Sequence, residues 1–174
     1  MSTLKIGICG WGNVATGLYK IAKNNIESIK KQGNLDIEIV VIGARRDNPN
    51  CKPENVIIER DIFNVVNHDI DVMVELIGGV DVAKDLILKA LKKKKHVVTA
   101  NKAVIYNHGD EIFACAKENG VKVLFESSVC AGTPIIKLLT EELSANKISK
   151  ISGMLNGTSN FILSLSHIHI SEPT

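Results

Sequence analysis

No two of the four cysteines, Cys9, Cys51, Cys115 and Cys130, stand at CxxC spacing. The chain therefore lacks the signature of a zinc site or a disulfide framework, and buried reduced thiols are expected. An excess of one charge is also missing. Lys and Arg number 21 against 19 Asp and Glu, a net +2, which is too even to imply nucleic-acid or membrane-surface partners. The only cationic run, Lys92-Lys93-Lys94-Lys95, falls at the end of a helical pattern, where positive side chains suit the helix dipole. Gly10, Gly12 and Asn13 interrupt the apolar stretch behind the N-terminus, so no signal peptide is expected, and no apolar run reaches membrane-spanning length. Internal repeats and low-complexity segments are absent from the sequence. A cytoplasmic protein is expected.

What is present is alternation. The 174 residues, 45% of them hydrophobic, suffice for one ordinary domain and a fragment of a second. A chain of this length buries about two thirds of its unfolded surface. Leu4 to Cys9, Ile37 to Ile42, Asp71 to Ile77, His96 to Thr99 and Val121 to Phe125 read as buried strands. Between them helical spacing covers Asn13 to Lys31, with Val14, Leu18, Ile21 and Ala22 on one face. It also covers a short helix from Asp61 to Asn67, with Asp61 as N-cap. Val82 to Lys94 turns Val82, Leu86, Ala90 and Leu91 inward. Ala103 to Asn119 buries Ile105, Ile112, Phe113 and Ala116 and stops at Gly120. Such alternation predicts an α/β fold, a Rossmann-type doubly wound parallel sheet with helices on both faces and ligands at the carboxyl ends of the strands.

Beyond this sheet, Thr133 caps and Pro134 opens a helix running to about Leu143. Ile148 to Leu155 reads as a strand of a second sheet, Asn156-Gly157 as a turn, and a helix starts near Thr158. The expected division is a dinucleotide-binding domain over 1–133, the beginning of a second α+β substrate and dimerisation domain over 134–165, and an atypical tail over 166–174.

Two polar clusters stand at the ends of apolar runs, Thr99-Ala100-Asn101-Lys102 and Asn156-Gly157-Thr158-Ser159-Asn160. With the first turn they can line one crevice. That turn, Gly10-Trp11-Gly12-Asn13-Val14-Ala15, matches G-x-G-x-x-A between a strand and a helix, the context in which glycines let backbone amides approach a pyrophosphate. A plain strand-to-helix turn would use the same glycines. At the end of the second strand Arg45-Arg46 favours the 2′-phosphate of NADP, while Asp47 weighs toward NAD. Gly78-Gly79 leaves room over the third strand end, or is simply a turn. Lys102 faces the crevice, where a lysine binds a carboxylate, contacts the cofactor or moves a proton. Glu126 and the loop carbonyls of Val129, Ala131 and Thr133 offer oxygens for a hard cation, although a solvated glutamate beside a loop is the simpler reading.

With these residues placed, the chain resembles the homoserine dehydrogenases. The matching pieces are Ile8 to Val14, Val74 to Gly79, His96 to Ala103, Phe125 to Pro134 and Asn156 to Leu163, in the family's order and spacing. The resemblance implies interconversion of L-aspartate 4-semialdehyde and L-homoserine with NADP, NAD being the alternative, on the route to threonine, methionine and isoleucine. It places Gly10, Gly12, Asn13 and Val14 on the cofactor diphosphate, Arg45 and Arg46 near the 2′-phosphate, and Gly78 and Lys102 on the nicotinamide side. Lys102 resembles one of the family's two active-site lysines. Asn156 and Thr158 resemble substrate or nicotinamide contacts. Glu126 with the carbonyls of Val129, Ala131 and Thr133 matches the family's sodium site.

The family's second active-site lysine, an aspartate and a substrate-binding glutamate come after the Asn-Gly-Thr helix, beyond the last residue here. The substrate sheet that forms the family's homodimer interface is mostly missing. An incomplete chain that binds NADPH but turns over homoserine poorly is therefore expected, with Ile148, Ile151 and Leu155 exposed. Two other readings stay open: a non-catalytic dinucleotide-binding module, and another amino-acid dehydrogenase of the same architecture.

Overall fold

The computed structural model of the chain describes residues 2–153. Its sheet has six strands: β1 (Thr3–Cys9), β2 (Asp36–Gly43), β3 (Ile57–Glu59), β4 (Val72–Glu75), β5 (His96–Thr99) and β6 (Val123–Leu124). All five pairings are parallel and the order is β3-β2-β1-β4-β5-β6. This is the doubly wound order of dinucleotide-binding folds, in which the chain reverses direction across the sheet between β1 and β4. β3 has no counterpart among the strands expected from sequence, because three residues carry too little periodicity to stand out.

Alternate side chains divide the sheet between two apolar layers. Cys9, Val41, Met73 and Val97 join one core with Leu86, Ile87 and Leu91 of α3 (Asp81–Lys92) and Val104 and Ile112 of α4 (Lys102–Asn119). Each of these large aliphatic side chains stabilises the fold by about 1.5–3 kcal/mol on burial. Ile8, Ile42 and Val74 point the other way and pack with Ala15 of α1 (Asn13–Asn24). A single-turn helix α5 (Glu126–Val129) and a short α6 (Ile135–Lys137), continued by a π-type turn over Leu138–Glu142, follow the sheet.

Several sequence expectations are corrected in detail. The helix expected from Asn13 to Lys31 is two, α1 and α2 (Ile26–Gly33), separated at Asn25, whose φ of −113° and ψ of 17° leave the helical region. The face of α1 against the sheet is its small one, Ala15 and Ala22 with Tyr19, whereas Val14 is 63% and Ile21 62% exposed and Leu18 is exposed as well. Small residues let the helix approach the strand closely, and the larger ones are left at its edge. Leu18 and Ile21 border an apolar cavity of about 570 Å³ with Ile39, Val72, Val98 and Leu124. Val82 and Phe113 are exposed rather than inward, and Ala83 and Val104 take the buried places. In α4 the backbone of His108, φ −135° and ψ 16°, is non-helical and kinks the helix.

The 61–67 segment is a 3-10 helix, Ile62–Asn67, capped by Asp61 as expected, whose carboxylate accepts from the Phe63 amide. Pro134, not Thr133, is the cap of α6. Residues 148–153 form no strand. Ile148 and Ile151 are exposed. Leu155 and the helix expected near Thr158 lie outside the described residues.

Candidate nucleotide-binding site

The turn after β1 is held by its glycines. Gly10 has φ +100°, and a Cβ there would meet the Leu76 carbonyl oxygen at 2.7 Å. Only glycine permits that approach between the end of β1 and the end of β4. The Gly10 amide donates to the Gly43 carbonyl at 2.9 Å, tying the turn to β2 as well. The first helical hydrogen bond of α1 runs from the Thr16 amide to the Gly12 carbonyl, 3.0 Å. The amides of Asn13, Val14 and Ala15 thus precede any intrahelical acceptor. No side chain caps this terminus and no acidic residue stands in its first turn. Unsatisfied amides at the positive end of a helix dipole suit an anion. Around Gly12 a Cβ would meet nothing within 4 Å, so its absence leaves cleft rather than relieving a clash. Ala15 is fully buried beneath the turn.

The turn opens into a cavity of about 570 Å³ lined by Gly10, Gly12, Arg45, Arg46, Ile77 and Gly78 among others. The structure thereby brings together three separate sequence motifs. Asp47, which weighed toward NAD, is not in this wall. Its carboxylate accepts from Arg60 at 2.7 Å, and the same guanidinium donates to the Ala44 carbonyl at 3.2 Å. Both side chains are largely exposed, so the pair contributes at most about 1 kcal/mol. Its effect is on direction, since it holds Asp47 to Arg60. Arg60 carries no motif and escapes sequence reading. Trp11 donates through Nε1 to the Cys51 carbonyl at 3.2 Å and meets Tyr19 edge-to-face at 5.5 Å, which fixes the outer rim.

Across the cleft, β4 and β5 end side by side. Gly78 and Gly79 both adopt left-handed backbone, φ +72° and +75°. Between that turn and β5 lies Glu75, completely buried. It accepts from the Ile77 amide at 2.9 Å and the Gly78 amide at 3.3 Å on Oε1, and from the Thr99 hydroxyl at 2.5 Å on Oε2. Thr99 Oγ1 accepts in turn from the Asn101 amide at 3.0 Å. The Asn101 side chain donates to the Gly79 carbonyl at 2.6 Å and accepts from the Val104 amide at 3.2 Å, capping α4. Lys102 is the first residue of that helix and is exposed. A cation at a helix N-terminus opposes the dipole, an arrangement that an anionic ligand would offset. Lys102 is not in the cavity wall itself, but Asn101 joins it to Gly79.

The Glu126 carboxylate, expected in a cation cage, has a local role in the chain. It accepts from the amides of Ile136 at 2.8 Å and Lys137 at 3.1 Å, capping α6. The Thr133 carbonyl accepts from the Ile135 amide at 2.8 Å. Two of the four oxygen groups of that expectation, the Glu126 carboxylate and the Thr133 carbonyl, thus accept amide protons, and each keeps a free lone pair. No group of three or more His, Cys, Asp or Glu among the described residues could hold a metal. Burial pushes the Cys9 thiol up to about 12, with the Glu75 charge beside it adding to the effect. Asn156 and Thr158 lie outside the described residues.

The family model for the homoserine dehydrogenase NAD-binding domain matches residues 10–126, and the model for homoserine dehydrogenase matches residues 134–170. The homoserine dehydrogenase of Pseudomonas aeruginosa is 51% identical over 165 residues, covering 94% of this chain and 38% of that relative. That of Neisseria gonorrhoeae is 40% identical over 167 residues, with 94% and 38% covered. A crystal structure of the Thiobacillus denitrificans homoserine dehydrogenase superposes with a TM-score of 0.86 at 41% identity, over 93% of this chain and 38% of that one. A hyperthermophilic archaeal homoserine dehydrogenase in complex with NADPH gives a TM-score of 0.65 at 26% identity, over 79% and 48%. The chain thus spans about 38% of the length of these bacterial relatives.

Proposed function

The chain belongs to the homoserine dehydrogenase family, and from that premise we propose that it forms the cofactor-binding part of an enzyme interconverting L-homoserine and L-aspartate 4-semialdehyde, with NADPH preferred to NADH. One observation carries the reading. The uncapped, acid-free start of α1 lies directly behind Gly12, which lines the same cavity as Arg45 and Arg46. Amides suit the diphosphate, and a guanidinium forks onto a 2′-phosphate. Asp47, held by Arg60, does not oppose that phosphate.

When bound, the dinucleotide supplies or accepts the hydride. The residues of the chain bind and orient. Gly10, Gly12, Asn13 and Val14 cradle the diphosphate, and Gly78 leaves room on the nicotinamide side. Lys102 brings a positive charge to the end of β5, where it stabilises an alkoxide as charge develops on the substrate oxygen. Holding aldehyde and cofactor together removes much of the entropic barrier. By the same resemblance Asn156 and Thr158 contact substrate. We place the boundary between cofactor and substrate domains near 133–134, the enzyme in the cytoplasm on the route to threonine, methionine and isoleucine, and homodimer formation in the substrate domain. No helix among the described residues is long and apolar enough to cross a membrane. By the same resemblance Glu126 with the carbonyls of Val129, Ala131 and Thr133 holds a sodium ion, which takes no part in the hydride or proton transfers.

Trp11, the single tryptophan, lines the cavity and reports on its occupancy. Titration with NADPH should quench Trp11 emission saturably. NADPH should bind about tenfold or more tightly than NADH, the worth of one charged hydrogen bond. Replacing both Arg45 and Arg46 with Ala should erase the difference. Folded protein with no calorimetric affinity for either nucleotide would overturn the proposal.

A further inference from the structure

We propose that Glu75 is a positioning residue for the nicotinamide side of the site. Its buried carboxylate locks the Gly78-Gly79 turn and the Thr99-to-Lys102 segment into one rigid frame. The inference rests on the reading of this cavity as a nicotinamide-dinucleotide site.

Burying a carboxylate is costly unless its oxygens are satisfied. The neighbouring strand positions Met73, Val74 and Val97 are apolar, so an aliphatic residue at 75 would suit the core as such. The partners of Glu75 belong instead to the site. Ile77 and Gly78, whose amides it accepts, line the cavity. Thr99, which donates to its other oxygen, accepts from the Asn101 amide. Asn101 closes the ring by donating to the Gly79 carbonyl, and its Oδ1 caps the helix that Lys102 begins. Ser128 adds a fourth point of attachment, its hydroxyl donating to the Thr99 carbonyl at 2.8 Å. Among the described residues only four polar side chains are classed as buried, Thr16, Glu75, Thr99 and Ser128, and three of them meet here.

A turn with two consecutive left-handed glycines is held weakly by its own backbone. The Glu75 ring supplies the rigidity that a preorganised site requires. The adenosine side, at the Gly10–Ala15 turn and Arg45-Arg46, shares no side-chain hydrogen bond with the ring.

That separation provides the test. Affinities for NADPH and for 2′,5′-ADP, which carries only the adenosine half, are measured on wild type, Glu75→Leu, Glu75→Gln and Thr99→Val. The emission of bound reduced nicotinamide is recorded alongside. In Glu75→Leu, NADPH affinity should fall by about tenfold or more, the loss of at least one charged hydrogen bond in the frame. The 2′,5′-ADP affinity should stay within about twofold, a change too small for a lost contact. Nicotinamide emission should shift toward that of free NADPH. Glu75→Gln keeps an acceptor for the two amides and should restore most of the affinity, while Thr99→Val should lose the nicotinamide half selectively. Equal loss of both ligands, or no loss of either, overturns the inference. If Glu75→Leu does not fold, the near-isosteric Thr99→Val decides by the same criteria. Failure of wild type to bind both ligands would instead overturn the proposed function.

Discussion

Gly10 and Gly12 stand two residues apart in one motif yet do different physical work. At Gly10 any side chain would collide with the Leu76 carbonyl at 2.7 Å while forced into φ +100°. Gly10→Ala should therefore cost at least about 1–3 kcal/mol in urea unfolding from backbone strain alone. At Gly12 a Cβ meets no protein atom within 4 Å. Gly12→Ala should leave stability within about 1 kcal/mol while weakening NADPH binding, because the methyl group enters the space left for the diphosphate. Loss of stability in Gly12→Ala comparable to Gly10→Ala would contradict this division.

Cys9 makes a second prediction at the same scale. Its thiol is pushed from 9.0 up to about 12, so the fold favours the neutral form. That contribution to stability is complete below about pH 9 and is lost as pH rises toward 12. At pH 8 iodoacetamide should modify the half-buried Cys130 first and reach Cys9 only on unfolding, as mass spectrometry of timed samples would read. Gly10, Arg45, Arg46 and Gly78, which the sequence singles out through local motifs, line one cavity, whereas Lys102, singled out in the same way, stands outside its wall. Glu75 was visible within a matching segment but carried no role, since its partners Thr99 and Gly78 meet it only after the strands pair.

At the scale of elements, most strands and helices follow from period and capping, and errors fall where tertiary contacts decide. β3 is short and exists by pairing with β2. The buried faces of α1 and α4 differ in part from those their periodicity predicts, because a helix packs the side that fits its neighbour rather than its most hydrophobic one. α6 depends on Glu126, ten and eleven residues away from the amides it accepts. Glu126→Ala should cost about 0.5–2 kcal/mol, the usual worth of a helix cap. The loss should appear as faster hydrogen exchange at Ile136 and Lys137, with little change at Val97 in the sheet. Unchanged exchange there would show that the carboxylate serves another purpose.

At the scale of the molecule, the sheet faces are covered unequally. One lies beneath α3 and α4, and the other leaves the cavity bordered by Leu18, Ile21, Val98 and Leu124 only partly filled by described residues. An apolar surface of this kind binds hydrophobic dyes. Anilinonaphthalene sulfonate should bind the folded chain, and Ile21→Lys should reduce that binding. NADPH affinity should be unaffected, because the two cavities share no lining residue. Coincident loss of dye and NADPH binding would mean that the two faces are coupled.

Read alone, the sequence determined the alternating plan, the parallel sheet, the glycine turn between β1 and α1 and the strand ends that carry Arg45, Gly78 and Lys102. These depend on local backbone preference and periodicity, which a few consecutive residues encode. The tertiary structure alone decided that Arg60 holds Asp47, that Glu126 caps a helix, that the described residues leave one sheet face partly open and that Glu75 joins two loops. Each of those depends on groups far apart along the chain, and only the packing of the sheet brings them within hydrogen-bonding distance.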